Sequence, residues 1–286
     1  MAGASPENPQ PVELDVPNRD ASKPGAATRL FLHEITRQEA ASRAADALVV
    51  LPVGATEQHG PHLPLGTDFL IVENITRAAA QEARRGIDIL VAPTVQVGAS
   101  HHHLPFGGTI SLATECYYGA LSDMVESLIL SGFRRVFILN GHGGNHELIQ
   151  LVARDLSLRH ACNLGAASYW DLARETLAER EPNLRGHFPG HAGEFETSLI
   201  MALRPELVAA PLPHRTAEEL VHAAIEPAPF RVERHGFWKS IDGFTDSPDL
   251  ADPELGQRLL EVIVPTVADV FVRFARLPLV GEATRV

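Results

Sequence analysis

The chain has 286 residues, of which 45% are hydrophobic, and its mean hydropathy is −0.01. This length and composition are typical of a globular domain that buries a full core. No stretch approaches the roughly 20 consecutive apolar residues that cross a bilayer, so we expect no membrane partner. The net charge of −12 argues against a nucleic-acid partner, because binding to phosphates requires a basic surface.

Residues 1–27 are rich in Pro, Ala, Asp, Asn and Gly and show no apolar periodicity. They predict a disordered or surface-draped arm ahead of one domain over residues 28–286. The arm lacks the basic and apolar segments of a secretory signal. Cys116 and Cys162 have no metal-type spacing, and we interpret them as buried free thiols. Together these features predict a cytoplasmic protein.

Strand and helix patterns alternate after Arg29. Apolar runs that end at turn residues predict strands over 47–53, 87–92, 135–139 and 164–169. Helical spacing of apolar residues predicts helices over 72–85, 116–130, 146–160, 194–203 and 255–276. The segment 211–239 lacks periodicity and predicts a long loop or hairpin. This order predicts an α/β domain with a mostly parallel central sheet and helices on both faces.

The first candidate site follows the predicted strand 47–53, at the kind of position where ligands bind in open α/β sheets. Glu57 and His59 are two positions apart, so they project to the same side of an extended segment, and Asp68 lies within reach. This mixed oxygen and nitrogen donor set suits Zn, Mn or Fe. Taken alone, each residue also fits a structural role, such as a helix cap at Asp68. Their combination favours metal ligation.

The second candidate site follows the predicted strand 135–139 and places His142 among three glycines, between Asn140 and Asn145. Glycine-rich turns of this kind also bind phosphate. However, the segment lacks the Gly-Lys-Ser/Thr ending and the GxGxxG spacing of nucleotide-binding loops. The small glycines around His142 suit a bound ligand that must approach this histidine closely. The side chains of the flanking asparagines can brace the histidine.

A third group, which contains His187, His191, Glu194 and Glu196, lies at the start of the predicted helix 194–203. The two carboxylates also suit a helix N-terminus through the macrodipole, but this does not explain His191, which is flanked by glycines. A fourth segment contains three consecutive histidines, His101–His103. We expect one or two of them at most to face a pocket. Their role, in substrate recognition or as a polar loop, stays open.

Three of these segments resemble the signature segments of the creatininase family, and they occur in the same order. The resemblance extends from about residue 30 to the last predicted helix. It implies a binuclear metal centre in which Asp68 bridges two ions, Glu57 and His142 bind one ion, and His59 binds the other. It also implies a homo-oligomer, such as a hexamer. The matching segments are Leu51–Gly60, Asn140–Asn145 and His191–Ser198.

The chain departs from the creatinine-cleaving members of the family at three positions. Gly144 stands where those members carry a further carboxylate, and Gly143 and Gly190 replace a Tyr and an acidic residue. Creatinine is therefore not the expected substrate. Spacing alone does not decide which carboxylate replaces the missing one, and we favour Glu196 over Glu194 as the metal ligand. The residues that we assign to substrate contact are His103, Trp170 and Glu194.

The resemblance implies an amidohydrolase with two divalent ions, Zn or Mn with Fe as an alternative. A hydroxide bridging the ions would cleave the C–N bond of a small amide or cyclic amide. His191 is the candidate catalytic acid/base, because an imidazole near its ordinary pKa can pass a proton to the leaving nitrogen. The alternatives within the family are a formamide deformylase or a small-peptide hydrolase. A non-catalytic metal- or ligand-binding protein is the alternative from another class.

Overall fold

The computed structural model describes residues 29–182, 184, 188–223 and 232–279. The arm predicted over residues 1–27, and His187, lie outside these ranges. Four strands form one fully parallel sheet in the order β2-β1-β3-β4, so the longest predicted apolar run occupies a central position. The strands are β1 (Leu48–Val53), β2 (Ile89–Val91), β3 (Arg135–Asn140) and β4 (Asn163–Ser168).

The helices of the described ranges follow the strands in alternation for most of the chain. Among these residues, no helix has the combination of length and apolarity that crossing a membrane requires. In chain order the helices are α1 (Arg37–Arg43), α2 (Thr67–Ala83), α3 (Thr114–Leu130), α4 (His146–Ser157), α5 (Tyr169–Arg180), α6 (Glu194–Leu203), α7 (Ala217–Ala223), α8 (Phe237–Ser240) and α9 (Pro253–Ala275).

Two hydrophobic cores lie on opposite faces of the sheet, because successive side chains of a strand point to opposite sides. Leu48 and Val50 of β1 pack on one face with apolar residues of α2, α5, α6 and α9. Val49 and Leu51 pack on the other face with apolar residues of α3 and α4. A sheet covered on both sides explains why the strands read as continuous apolar runs. The predicted α/β domain with helices on both faces is confirmed.

Three local predictions were wrong. The segment 211–239 contains α7 and α8, of seven and four residues, which are too short to show a helical period in the sequence. Residues 224–231 of that segment lie outside the described ranges. Helix α5 was missed because charged residues interrupt its apolar spacing. Cys116 is exposed on α3 and Cys162 is half-buried, so only the prediction that these thiols are free agrees with the structure.

Candidate metal centre

The first two candidate sites meet because they follow neighbouring parallel strands. Val53 at the end of β1 pairs with Asn140 at the end of β3, so the loops that leave these strands emerge side by side. One loop carries Glu57 and His59, and the other carries His142. Asp68 lies in the first turn of α2, which begins where the first loop ends. The carboxyl edge of the sheet thus gathers four side chains from two distant parts of the sequence.

Two asparagines hold the loop after β3 in place. The side-chain amide of Asn140 donates to the carbonyl of His142 at 2.6 Å, and its oxygen accepts from the His142 N–H at 3.0 Å. Asn145 donates to the carbonyl of Gly54 at 3.1 Å and accepts from the Ala99 N–H at 3.0 Å. Because these side chains are buried and hydrogen-bonded, they fix the imidazole of His142 relative to the first loop.

Asp68 lies between two histidines and contacts each through a different oxygen. Its Oδ1 is 3.1 Å from Nε2 of His59, and its Oδ2 is 3.1 Å from Nδ1 of His142. Nδ1 of His142 is also 3.3 Å from Oε1 of Glu57, and Nε2 of His59 is 3.7 Å from Oε2 of Glu196. All five side chains are buried. Asp68 is therefore in a position to share two cations, one on the side of His142 and one on the side of His59.

The cluster passes a chemical test for metal binding. Both carboxylate oxygens of Glu57 and Oδ2 of Asp68 are buried, and although His142 lies close to two of these three atoms, none of them has a hydrogen bond of acceptable geometry. Buried polar atoms almost always find a partner, so atoms without one call for an explanation. Potential ligand atoms of Glu57, His59 and Asp68 lie within 4.8 Å of one another, as do those of His59, His191 and Glu196. These donor sets fit divalent transition-metal ions such as Zn or Mn.

Burial and charge together favour positive charge in this cluster. Burial would lower the pKa of His59, but the charges of Asp68 and the neighbouring glutamates raise it to about 9. Burial raises the pKa of Glu196 to about 8. Burial opposes ionisation of Asp68 as well, yet His59 and His142 hold its pKa below the usual range. A divalent cation would supply the same compensation and is the stronger partner for several carboxylates.

A cavity of about 450 Å³ opens over this cluster. Both tryptophans of the chain line it, Trp170 from α5 and Trp238 from α8. The ring of His191 stacks on His103 with ring centroids 4.3 Å apart, and Trp238 packs edge-on against both rings. The cavity is therefore polar where the ligands converge and aromatic on its walls, which is typical of small-molecule sites.

Glu194 is the predicted site residue that the structure places elsewhere. It is buried, but it lines a separate depression with Glu181, Asp252 and Arg258. Residues two positions apart in a helix point about 200° apart, so when Glu196 faces the cluster Glu194 turns away from it. Of the three consecutive histidines, His103 is fully buried, His102 is half-buried and His101 is exposed. All three lie along the cavity wall.

Sequence reasoning missed two parts of this site. Trp238 lies in the segment that was interpreted as irregular, and the rarity of tryptophan in this chain was the signal that could have identified it. Gln58 stands between two predicted ligands, and its side chain contacts both His103 and His191. Its position inside the first motif was the corresponding signal.

Comparison with known proteins identifies the family to which the chain belongs. The family model described as creatininase, creatinine amidohydrolase, matches residues 33–271. The chain belongs to the creatininase family. It is thus a hydrolase that acts on carbon–nitrogen bonds.

Two curated relatives show the range of this family. Creatinine amidohydrolase of Pseudomonas putida is 31% identical over 262 residues, which cover 84% of this chain and 95% of the relative. The mycofactocin precursor peptide peptidase of Mycobacterium ulcerans is 34% identical over 165 residues, covering 56% of this chain and 60% of the relative.

Solved creatininase structures share the fold over nearly their whole length. A creatinine amidohydrolase crystal structure superposes with a TM-score of 0.72 at 29% identity, covering 88% of this chain and all of that chain. A manganese form gives a TM-score of 0.71 at 29% identity, with coverages of 87% and 99%. A mutant of Zn–Zn type gives 0.69 at 29% identity, with coverages of 86% and 98%.

Proposed function

We propose that this creatininase-family protein hydrolyses the C–N bond of a small amide or cyclic amide at a centre of two divalent metal ions. The observation that supports this proposal is the buried position of Asp68, which presents one oxygen to His142 and the other to His59. In the proposed centre Glu57 and His142 would hold one ion, His59 and Glu196 would hold the other, and Asp68 would contact both. Zn and Mn are the proposed metals, with Fe as an alternative.

When bound, the ions would lower the pKa of a shared water and polarise the amide carbonyl. The chain contributes the remaining steps. His191 lies beside the ligand cluster, with Nδ1 3.7 Å from Oε1 of Glu57, and is proposed to take a proton from the attacking water and pass it to the leaving nitrogen. His103, Trp170 and Trp238 form walls that orient the substrate and exclude water from it.

A second candidate function is the trimming of a short peptide. A Cβ added at Gly143, on the cavity wall, would meet no atom within 4 Å, so this side of the cavity is open. The similarity to a peptide peptidase favours the same alternative. A cavity of about 450 Å³ accommodates a substrate larger than a five-membered cyclic amide.

The test is the metal content of the purified protein and of Asp68→Ala, together with hydrolysis assays on amides, lactams, formamides and short peptides. We expect about two equivalents of Zn, Mn or Fe in the wild type and no bound metal in Asp68→Ala, since Asp68 would contact both ions. Asp123→Ala, which removes an exposed carboxylate on α3, is the matched control and should keep both. A wild-type protein that binds no metal and stays inert after reconstitution would contradict the proposal and leave a non-catalytic binding protein.

Assembly and location complete the proposal. Family membership supports a homo-oligomer, with a hexamer as the specific form to test by light scattering of the full chain. A cytoplasmic location is proposed because both cysteines are free, as is usual in a reducing compartment, and it is tested by fractionation of cells that express the protein.

A further inference from the structure

The side chain of Gln58 connects parts of the site that are distant in sequence. Its amide nitrogen is 2.7 Å from Nδ1 of His103, 3.1 Å from Nε2 of His191 and 2.8 Å from the carbonyl oxygen of Gly243. Its amide oxygen accepts a hydrogen bond from the N–H of Gly60 at 2.9 Å. The residue is buried, so water does not compete for these contacts.

The orientation of this amide is determined by two backbone groups. The Gly60 N–H can only donate, and the Gly243 carbonyl can only accept, so exchanging the amide nitrogen and oxygen would break both hydrogen bonds. Gly243 approaches so closely that an added Cβ would overlap the amide oxygen of Gln58, and its φ of +75° also favours glycine. The amide therefore has one orientation, with its nitrogen turned to the histidines.

The backbone carbonyl of Gln58 determines which ring nitrogen of His191 carries the hydrogen. Nε2 of His191 lies 3.0 Å from this oxygen, which can only accept a hydrogen bond. Nε2 must therefore carry the hydrogen in the neutral ring. Nδ1 is left with a free lone pair and lies on the side of the cluster, 3.7 Å from Oε1 of Glu57.

The side-chain amide of Gln58 determines which ring nitrogen of His103 carries the hydrogen. The amide nitrogen of Gln58 has two hydrogens and no lone pair to offer, and the Gly243 carbonyl takes one of them. The other hydrogen goes to the nearer ring atom, Nδ1 of His103, so the hydrogen of this ring is on Nε2. Nε2 lies 3.4 Å from Oε1 of Glu57. His103 thus turns an N–H toward the same carboxylate to which His191 turns a lone pair.

We infer that Gln58 is a positioning residue that sets the tautomers of both histidines and thereby separates their roles. His191 is left with a basic nitrogen at the cluster, as proton transfer requires. His103 presents an N–H there, so it cannot ligate a metal through Nε2. The inference rests on the proposed function for the role of His191, but the tautomers themselves do not depend on it.

The two rings meet the condition for a defined tautomer. Each ring has one nitrogen within hydrogen-bond distance of a group whose role is fixed, since Nδ1 of His103 faces a donor and Nε2 of His191 faces an acceptor. The test reads the tautomers directly, by long-range ¹H–¹⁵N correlation spectra of zinc-loaded protein labelled on histidine nitrogen. Variants His103→Gln and His191→Gln identify the two sets of signals by their loss.

In the wild type we expect the hydrogen on Nε2 of both rings. In Gln58→Glu the side chain can only accept, so His103 should gain a hydrogen on Nδ1. Gln150→Glu is the matched control, because Gln150 makes an exposed contact of 2.8 Å with His146, and it should leave both rings unchanged. A hydrogen on Nδ1 of His103 in the wild type, or an unchanged His103 in a folded Gln58→Glu protein, would overturn the inference. The wild-type spectrum alone shows which nitrogen of His103 carries the hydrogen, whether or not the variant folds.

Kinetics separate this inference from the proposed function. For whichever amide the wild type hydrolyses, Gln58→Glu should lower kcat about 10–100-fold with KM and metal content nearly unchanged, as for other residues that orient ligands. A protein that shows the expected tautomers but hydrolyses no amide would contradict the proposed function and leave the tautomer assignment supported. Unchanged kcat in the presence of the changed tautomer would contradict the positioning role.

Discussion

The carboxylate of Glu196, on α6, lies 3.7 Å from Nε2 of His59, in the loop after β1. The backbone N–H of Ala192 donates to Oε2 of Glu196 at 2.6 Å and holds this oxygen toward the cluster. No spacing in the sequence predicts the distance, because it depends on how α6 packs against α2 and α9. This contact completes a ring of donors around the second proposed ion.

Replacement of Glu196 should remove one metal ion and leave the other. Glu196→Gln keeps the size of the side chain but removes the charge, so we expect about one equivalent of metal in place of two, measured by elemental analysis after dialysis. Glu194→Gln is the matched control, because Glu194 is a buried carboxylate on the same helix turn that faces another depression. Equal metal contents in the two variants would contradict the assignment of Glu196.

Replacement of His191 should lower the rate and leave the metals in place. We expect His191→Gln to reduce kcat about 10²–10⁴-fold, the usual contribution of a positioned acid or base. Metal content should stay at the wild-type level. His160→Gln, which removes a histidine paired with Glu126 away from the cavity, should keep full activity. Loss of metal from the His191 variant would instead show that His191 is a ligand.

The sequence predicted the edge of the sheet where the site lies, for a physical reason. Continuous apolar runs identify strands that are buried on both faces, and polar residues after such strands gather where parallel strands end. Glu57, His59 and His142 were predicted in this way, and the loops after β1 and β3 bring them together in the structure. What the pattern could not supply was the choice between Glu194 and Glu196, since both suit the start of a helix.

The residues that sequence reasoning missed act through contacts between distant segments. Trp238 reaches the cavity from α8, a helix of four residues that leaves no periodic trace in the sequence. The role that we infer for Gln58 depends on the convergence of His103, His191 and Gly243 on one amide. Such convergence is a property of the packed molecule, and local propensity carries no information about it.

Adjacent glycines in the loop after β3 should respond differently to the same substitution. A Cβ at Gly144 would overlap the carbonyl oxygen of Ala99 and lie 2.5 Å from Nε2 of His142, whereas a Cβ at Gly143 would meet nothing within 4 Å. Gly144→Ala should therefore displace His142, lower metal affinity and destabilise the fold by roughly 1–3 kcal/mol, as other overpacking substitutions do. Gly143→Ala should be nearly neutral. Metal titration and thermal unfolding of both variants measure the difference, and equal behaviour would contradict it.

The pH dependence of stability should reveal the buried His62. Burial lowers the pKa of His62 to about 4, and the nearby His59 lowers it further in the same direction. In the unfolded chain a histidine has a pKa of about 6.5, so between these values the unfolded state binds the proton and the folded state does not. Protonation then favours unfolding, and stability falls as the pH decreases through this window.

His62→Gln should remove this contribution. Nε2 of His62 pairs with the hydroxyl of Thr197 at 2.9 Å, and a glutamine amide can make a similar hydrogen bond without titrating. The free energy of unfolding of the metal-free protein, measured by denaturant at several values between pH 4.5 and 6.5, should fall less steeply in the variant. The difference corresponds to about one proton taken up on unfolding. His222→Gln controls for the removal of a histidine as such. Equal slopes in the wild type and His62→Gln would show that His62 is already protonated in the fold, which its burial beside His59 argues against.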